Sequence, residues 1–285
     1  MQFQSDPFTT IVRHAVPRSL RNALGRPGIT LSRLRAKWRR LLGNVSEAQV
    51  TRDWRVKCHP MCVEEFGVFH GDPDQAQEME SFIRRVTPGM QFLDVGTHWG
   101  IFTLAALHFG GPGVYVIGIE ASDNAAKVCS DNLSINGFAK RVTLINAACG
   151  DSVGELRMLS NGAVGADFFV VPAEERPDTV TVPMVTVDSV VAKHGFTPTH
   201  LKVDVEGFEE EVLKGARETL SILRPVLFLE LHGHLISQRG REPERVLDLL
   251  RTLDYTDWQD LDGKPLDSRA LAAVDFKARF VAKHA

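Results

Sequence analysis

The sequence predicts an α/β domain with a mainly parallel, seven-stranded sheet that carries helices on both faces. Three observations predict it. Short apolar segments alternate with helical ones from residue 90 onward, as in parallel sheets with crossover helices. Hydrophobic residues make up 44% of the 285 residues, enough for one large core. Acidic residues and glycines directly follow several strands, where such sheets bind their ligands.

The elements follow in chain order. The predicted strands are 90–95, 113–120, 141–149, 200–205, 225–231, 255–260 and 276–282. The predicted helices are 72–86, 101–109, 123–136, 208–222 and about 243–253. Residues 151–187 break the alternation, because "GELRML" and "TVTVPMVTV" flank a loop rich in glycine, proline and acidic residues. This pattern predicts an inserted β-hairpin.

The amino-terminal part differs in charge from the rest. Residues 1–43 contain nine basic residues and one acidic residue, although the whole chain has a formal net charge of −3. We therefore predict a basic helical extension over residues 1–60, followed by the main domain over residues 61–285. The extension is interpreted either as a weak contact for an anionic partner such as a membrane surface, or as a solvated helix or partly disordered arm.

Sequence features also bear on the compartment. There is no apolar run of about 18 residues and no apolar signal-peptide core. The four cysteines lack the spacing of a zinc site and are expected to be free thiols. We expect a cytoplasmic protein, and the sequence makes no prediction of its oligomeric state.

The ends of the first two strands predict a nucleoside site. The first strand runs into "DVGTHWG", which contains Asp94, Gly96 and Gly100. The glycines allow a tight turn and a close approach of a ligand to the backbone. Glu120 follows the second strand, where a carboxylate can accept hydrogen bonds from both ribose hydroxyls. A nicotinamide cofactor is disfavoured because the pattern G-x-G-x-x-G is missing.

Four segments carry a resemblance to a known family. They are "FLDVGTHWGIFTL", "NLSINGF", "VTVDSV" and "LKVDVEGFEEEVLKGARETLSILRPVLFLELH". Over about residues 64–235 the chain resembles the FkbM family of S-adenosylmethionine-dependent methyltransferases. The resemblance implies a Rossmann-like fold, S-adenosylmethionine as the cofactor, and O-methylation of a hydroxyl on a sugar, glycan or other small metabolite. The family often has Ala-Asn where this chain has Thr97-His98.

The predicted cofactor site extends to two further strand ends. Asn146 and Ala147 end the third strand and are expected near the adenine, whereas Ser122 is expected near the ribose. The full set of predicted cofactor residues is Asp94, Gly96, His98, Gly100, Glu120, Ser122, Asn146 and Ala147.

Four polar residues at the next two strand ends are the candidates for chemistry. Asp204 and Glu206 follow the fourth strand, and Glu230 and His232 follow the fifth. These strands are expected to be neighbours, so the four side chains are predicted to align the acceptor and remove its proton. Asp204 can also cap the next helix, and His232 can be a surface histidine. We interpret Glu209–Glu211 as the solvated start of that helix.

A metal-assisted mechanism and other functions stay open at this point. Asp204, Glu206 and Glu230 are hard oxygen donors that can hold Mg²⁺. The rival functions are an N-methyltransferase and a non-catalytic cofactor-binding module that recruits partners through its basic arm. A nucleic-acid substrate is disfavoured, because the chain beyond residue 43 is acidic.

Overall fold

The computed structural model describes residues 45–159, 179–267 and 277–284. The first described elements form a β-hairpin, with strands β1 (Ser46–Thr51) and β2 (Trp54–Cys58) paired antiparallel. In β2 every second residue is buried, because an alternating sequence places its apolar side chains on one face of a strand. The prediction of a helical extension over residues 1–60 is therefore wrong for this segment. Its basic part, residues 1–43, lies outside the described residues.

Two helices connect the hairpin to the main sheet. They are α1 (Val63–Gly71) and α2 (Pro73–Arg85). Asp72 caps α2 by accepting hydrogen bonds from the backbone of Asp74 and Gln75, and Pro73 occupies the first turn, as expected at a helix start.

The main sheet has the predicted seven strands. Its strands are β3 (Gln91–Val95), β4 (Tyr115–Glu120), β5 (Val142–Asn146), β9 (His200–Val203), β10 (Val226–Leu231), β11 (Tyr255–Gln259) and β12 (Ala278–His284). Their spatial order is β11-β12-β10-β9-β3-β4-β5. Six of these strands run in the same direction, whereas β12 is antiparallel to both of its neighbours.

The predicted insertion is an antiparallel pair. Strands β7 (Gly154–Leu159) and β8 (Thr179–Val185) pair with each other, and β8 also pairs with the two-residue strand β6 (Ala148–Cys149). The small sheet thus begins directly after β5 and lies beside the carboxyl end of the main sheet.

Helices cover both faces of the sheet, and a separate hydrophobic cluster lies on each face. The remaining helices are α3 (Ile101–Phe109), α4 (Asp123–Ile135), α5 (Val187–His194), α6 (Glu209–Lys214), α7 (Gly233–Gln238) and α8 (Glu244–Thr252), with a π-helical turn at Thr219–Leu223. Helix α6 is shorter than predicted and ends at Gly215, where a Cβ atom would lie 2.0 Å from the Gly150 carbonyl oxygen. None of the helices in the described ranges is long and apolar enough to cross a membrane.

The topology positions the site. Strand order reverses between β3 and β9, since β4 and β5 extend from one side of β3 and β9 and β10 from the other. Ligands of such sheets bind at the carboxyl ends of the strands near this reversal. A cavity is found there, lined by residues that follow β3, β4, β9 and β10.

Candidate active site

The loop between β3 and α3 is fixed between its two neighbouring strands. Gly96 has φ +83°, and a Cβ atom at this position would lie 1.8 Å from the carbonyl oxygen of Asp204. The backbone N–H groups of Gly96 and Thr97 both donate to the carbonyl oxygen of Ile119 at the end of β4. Residue 96 therefore has to be glycine, because the loop approaches the backbone after β9 too closely for a side chain.

Asp94 lies below this loop and stabilises it from inside. Its carboxylate is buried and accepts a hydrogen bond of 2.7 Å from the hydroxyl of Thr103 in α3. Burial raises the pKa of Asp94 to about 6. Gly100 begins α3 with φ +87°, and a Cβ atom there would lie 2.7 Å from Cys129 Sγ. Both predicted residues shape the loop, behind the cavity wall that the described residues form.

Glu120 is the acidic residue at the end of β4 and lines the cavity. Its Oε2 atom accepts a hydrogen bond of 2.7 Å from the His98 N–H, and its Oε1 atom accepts one of 2.7 Å from the Ser122 N–H. A carboxylate has about four acceptor positions, so acceptor positions remain for a ligand.

His98 stands in the loop with φ +50°, which is uncommon for a residue other than glycine. Its Nδ1 atom lies 2.8 Å from Glu65 of α1, and its ring stacks on Trp99. Burial disfavours the charged imidazolium, but the hydrogen bond to Glu65 and the nearby carboxylates outweigh it and raise the pKa of His98. Its buried Nε2 atom has no hydrogen-bond partner among the described residues, so it is available to a ligand of the cavity that His98 lines.

The other three predicted cofactor residues have different positions. Ala147 lines the cavity. Ser122 caps α4 by accepting a hydrogen bond from the Ala125 N–H, and the amide of Asn146 donates to the carbonyl oxygens of Glu120 and Ala121. Ser122 and Asn146 thus organise the strand ends, whereas Ala147 can touch a ligand.

The predicted catalytic residues do converge. We call Asp204, Glu206, Glu230 and His232 the acid cluster. The Nε2 atom of His232 lies 3.4 Å from Glu206, 3.7 Å from Glu230 and 3.9 Å from Asp204. The three carboxylates line the cavity, whereas His232 is fully buried behind them. The histidine therefore reaches a ligand of the cavity only through a carboxylate.

A residue outside the predicted set orients His232. Glu209 is fully buried and lies 2.7 Å from the Nδ1 atom of His232, and its other oxygen has no hydrogen-bond partner among the described residues. This bond assigns the proton to Nδ1 and leaves Nε2 to face the carboxylates when the ring is neutral. Burial disfavours the imidazolium of His232, but Glu209, Asp204 and Glu206 outweigh this effect, so that the pKa of His232 is raised above its ordinary value.

The interpretation of Glu209–Glu211 as a solvated helix start is wrong. All three side chains are buried. Glu210 lies 2.7 Å from Lys214 and 3.0 Å from Arg241, and Glu211 lies 2.7 Å from Arg239. The basic partners follow α7 or end α6, and they allow acids to be buried that would otherwise stay in water.

Three cations balance the acid cluster, and two of them, Lys277 and Arg279, are not predicted from the sequence. Lys202 is buried, with its ammonium 2.8 Å from Asp204 and 4.4 Å from the ring centre of Phe102. Lys277 contacts Glu230, and Arg279 of β12 lies 3.2 Å from Glu230 and 3.0 Å from Glu78. Lys277 and Arg279 lie in the final predicted strand, 276–282. Their contact with Glu230 could be predicted only if this strand were known to insert beside β10, which the sequence does not indicate.

The same surroundings separate the pKa values of the carboxylates. Burial alone would raise the pKa of Asp204, but Lys202 and His232 hold it well below its usual range. Burial dominates at Glu206 and raises its pKa. Burial also raises the pKa of Glu78 to about 7. Two neighbouring acids with opposed shifts are characteristic of sites that move protons.

A metal ion has one plausible donor set among the described residues. Possible ligand atoms of Asp204, Glu230 and His232 lie within 4.8 Å of one another. This donor set contains His232 in place of Glu206, which the sequence predicted as the third ligand. However, Lys202 already neutralises Asp204, and Lys277 and Arg279 neutralise Glu230. Three fixed cations beside the donors oppose a further divalent cation.

The family of the chain is shown by its sequence. The family model described as the methyltransferase FkbM domain matches residues 94–256, more than half of the chain. The chain belongs to the FkbM methyltransferase family. The matched segment contains the glycine loop, Glu120, the acid cluster and Glu209, whereas α1, α2 and β12 flank it.

Solved structures similar to this chain are distant in sequence. The FkbM methyltransferase from Methylobacillus flagellatus KT has a TM-score of 0.44 and 16% identity over 79% of this chain and 51% of that chain. This chain thus spans about half the length of that protein. The O-methyltransferase from Bacillus cereus, solved in complex with SAH, has a TM-score of 0.44 and 15% identity over 74% of this chain and 80% of that chain. Comparison with curated protein sequences gave no significant match.

Proposed function

We propose that the protein transfers a methyl group from S-adenosylmethionine to a hydroxyl of a sugar, glycan or other small metabolite. The observation that carries the proposal is the buried Glu209–His232 pair, whose second imidazole nitrogen faces the carboxylates that line the cavity. A histidine oriented by a carboxylate is the usual arrangement for moving a proton. A hydroxyl acceptor has to lose its proton when it is methylated.

The residues after β3 and β4 fit the cofactor. The spare acceptor positions of Glu120 suit the ribose hydroxyls, and the unpartnered Nε2 atom of His98 suits a polar group of the same ligand. Gly96, His98, Glu120 and Ala147 line the cavity and would hold the cofactor. Bound S-adenosylmethionine supplies a methyl group on a sulfonium, which the acceptor oxygen can displace directly.

Glu206 is the proposed proton acceptor. It lines the cavity, its side chain is 41% exposed, and burial raises its pKa. A raised pKa makes a carboxylate a better base near neutral pH. Glu206 would take the proton of the acceptor hydroxyl as the acceptor oxygen displaces the sulfonium from the methyl carbon, so that the products would be a methyl ether and S-adenosylhomocysteine.

His232 then takes the proton from Glu206. Its Nε2 atom lies 3.4 Å from the Glu206 carboxylate, and the imidazolium that forms is stabilised by Glu209. Asp204 has the opposite role. The ammonium of Lys202 keeps it ionised, so it presents a fixed negative charge beside the reacting centre and not a base.

Mg²⁺ is the alternative way to activate the hydroxyl, held by carboxylates of the acid cluster. We propose that the metal-free route operates, because Lys202, Lys277 and Arg279 already balance Asp204 and Glu230. Methyl transfer should then persist in EDTA. Loss of activity in EDTA that Mg²⁺ or Mn²⁺ restores would favour the metal route.

The remaining partners and the location are also proposals. Glu65, Phe69 and Gln75 also line the cavity and are proposed to contact the acceptor, which would then be a small polar molecule with an apolar face. Nucleic acid is disfavoured by the acidic composition of the chain beyond residue 43, and residues 1–43 are proposed to contact membranes weakly. All four cysteines are free and buried, which agrees with a cytoplasmic location. Cell fractionation tests this location.

Labelled methyl transfer tests the function. Metabolite extract is incubated with S-adenosylmethionine labelled in its methyl group, and the products of the wild type and of Glu206→Gln are compared. We expect a labelled methyl ether with the wild type only. A labelled N-methyl product would favour the N-methyltransferase. No label transfer by a protein that binds S-adenosylhomocysteine would favour the non-catalytic module.

A further inference from the structure

The turn that carries Glu206 is held by an arginine from another element. Glu206 has φ +51° and Gly207 has φ +90°. Residues other than glycine rarely adopt this left-handed region, because the Cβ atom comes too close to the backbone. Such a conformation persists only where neighbouring contacts impose it. A Cβ atom at Gly207 would lie 2.7 Å from Leu235 Cβ, so the turn packs directly against α7.

Arg239 supplies contacts that impose this conformation. Its guanidinium donates to the carbonyl oxygen of Gly207, and two of its nitrogens lie 2.7 Å and 3.3 Å from the Glu211 carboxylate. The same group lies 4.6 Å above the ring centre of Phe208. A planar guanidinium can form the paired bond to a carboxylate and stack on a ring at once, which lysine cannot.

Arg239 and His232 lie at opposite ends of α7. The helix has His232 at its amino-terminal cap and Arg239 at its carboxyl-terminal cap. Arg239 therefore joins the helix that begins at His232 to the turn that carries Glu206, and Phe208 of the same turn lines the cavity.

We propose that Arg239 is a positioning residue that sets the distance between Glu206 and His232 and the position of Phe208 in the cavity. The inference rests on the proposed function of Glu206 and His232. A displacement of about 1 Å in such a pair can cost about 100-fold in rate. Loss of the clamp releases the turn toward ordinary backbone angles and moves Glu206 away from the Nε2 atom of His232.

Two variants and a matched control test the clamp. Arg239→Met removes all three contacts, and Arg239→Lys keeps only the charge. Arg241→Met is the control. Arg241 also forms ion pairs with Glu210 and Glu211, but among the described residues it forms no hydrogen bond to Gly207 and no cation–π contact with Phe208. Thermal unfolding of the three variants measures the structural cost of each change.

The first readout is binding of S-adenosylhomocysteine by isothermal titration. We expect affinity to fall by about fivefold or more in both Arg239 variants, because Phe208 moves, and by less than about twofold in Arg241→Met. Wild-type affinity in Arg239→Met, or an equal loss in Arg241→Met, would overturn the proposal.

The second readout is the imidazole pKa of His232, measured by ¹⁵N NMR, which a purely structural role would leave unchanged. The ionisable groups around this ring are Asp204, Glu206, Glu209 and Glu230, with Lys202, Lys277 and Arg279 beyond them and His234 on the same helix. With Glu206 displaced, less negative charge stabilises the imidazolium, so the pKa should fall in both Arg239 variants and stay at the wild-type value in Arg241→Met. An unchanged pKa in Arg239→Met would contradict the clamp.

The two hypotheses can fail separately. If the wild type binds S-adenosylhomocysteine but methylates no hydroxyl, the proposed function fails. If hydroxyl methylation occurs but the Arg239 variants match the wild type in affinity and in the pKa of His232, the clamp fails.

Discussion

The two halves of the cavity are built in different ways. In the glycine-loop half, the hydrogen bonds of the Gly96 N–H and of the Glu120 carboxylate are made to backbone groups within residues 94–122. In the acid cluster, charged side chains from β9, α6, β10 and β12 balance one another. The binding geometry of the glycine loop is therefore encoded locally in the chain, whereas the proton-moving site depends on a charge balance between distant segments.

Gly96→Ala should have the largest effect, because this residue joins the two halves. The added methyl group would meet the carbonyl oxygen of Asp204, and φ is +83°. Overpacking and a left-handed alanine should together cost at least about 3 kcal/mol in the free energy of unfolding. Urea denaturation measures it, and binding of S-adenosylhomocysteine should be lost.

Gly89→Ala is the control for this substitution. Gly89 has φ +76°, but nothing lies within 4 Å of the added Cβ atom. Gly89→Ala should lower the free energy of unfolding by only about 1–2 kcal/mol, the cost of a left-handed alanine without overpacking. Equal losses in the two variants would show that the close approach to Asp204 is unimportant.

Lys202→Met should lower the free energy of unfolding by about 3–5 kcal/mol, because it removes a buried ammonium and leaves the half-buried Asp204 carboxylate without its partner. The folded-state pKa of Asp204 is lowered, so the contribution of this pair is present above the unfolded pKa of about 4 and is lost as pH falls through the lower folded value. The difference in free energy of unfolding between the variant and the wild type should therefore shrink in acid.

The exposed pair of Lys127 and Asp123 provides the control. Lys127→Met should change the free energy of unfolding by less than about 1 kcal/mol, since both side chains are more than half exposed. If Lys202→Met were as mild, the charge balance of the cluster would not stabilise the fold.

Glu120→Gln tests the glycine-loop half. The amide removes the charge and one acceptor from a group that already accepts bonds from His98 and Ser122. Loss of hydrogen bonds to a charged group costs about 1.5–3 kcal/mol, so affinity for S-adenosylhomocysteine should fall by about 10- to 100-fold in isothermal titration. Glu155→Gln alters an exposed carboxylate on the hairpin and should bind as the wild type does. Unchanged affinity of Glu120→Gln would exclude Glu120 from the cofactor site.

Glu209→Gln should have the smallest effect, a shift of the pH profile. The wild-type rate should rise with pH through the raised pKa of His232, because the imidazole must be neutral to take the proton. Glu209 stabilises the imidazolium, so its neutralisation lowers this pKa and moves the rising limb to lower pH. Methyl incorporation measured across pH detects the shift.

Glu210→Gln is the control, because it removes a partner of Lys214 and Arg241 and should leave the rising limb of the pH profile in place. A rising limb that Glu209→Gln does not move would refute the pairing of Glu209 with His232.

The same division explains what the sequence could predict. Strand alternation and the position of Gly96 and Glu120 after their strands are local patterns, and the structure has the predicted sheet. The burial of Glu209–Glu211 could not be predicted from the local sequence, because it depends on His232, Arg239 and Arg241, which approach only after β10 and α7 have folded back.

Two other features differ from the sequence-based prediction, each for its own reason. Lys277 and Arg279 reach Glu230 because β12 inserts antiparallel between β10 and β11. Strand order in a sheet is not encoded in the alternation of a single strand. The hairpin at residues 46–58 was missed although its apolar residues alternate, because the basic composition before it favoured a helical interpretation.

Glu206→Gln tests the central claim most directly, when binding of S-adenosylhomocysteine and methyl transfer are measured on the same preparation. The substitution retains the size of a side chain that is 41% exposed at the cavity but removes the base, so affinity should stay within about twofold of the wild type while the rate of transfer falls by about 10²–10⁴-fold. Methyl transfer at the wild-type rate by this variant would contradict the account.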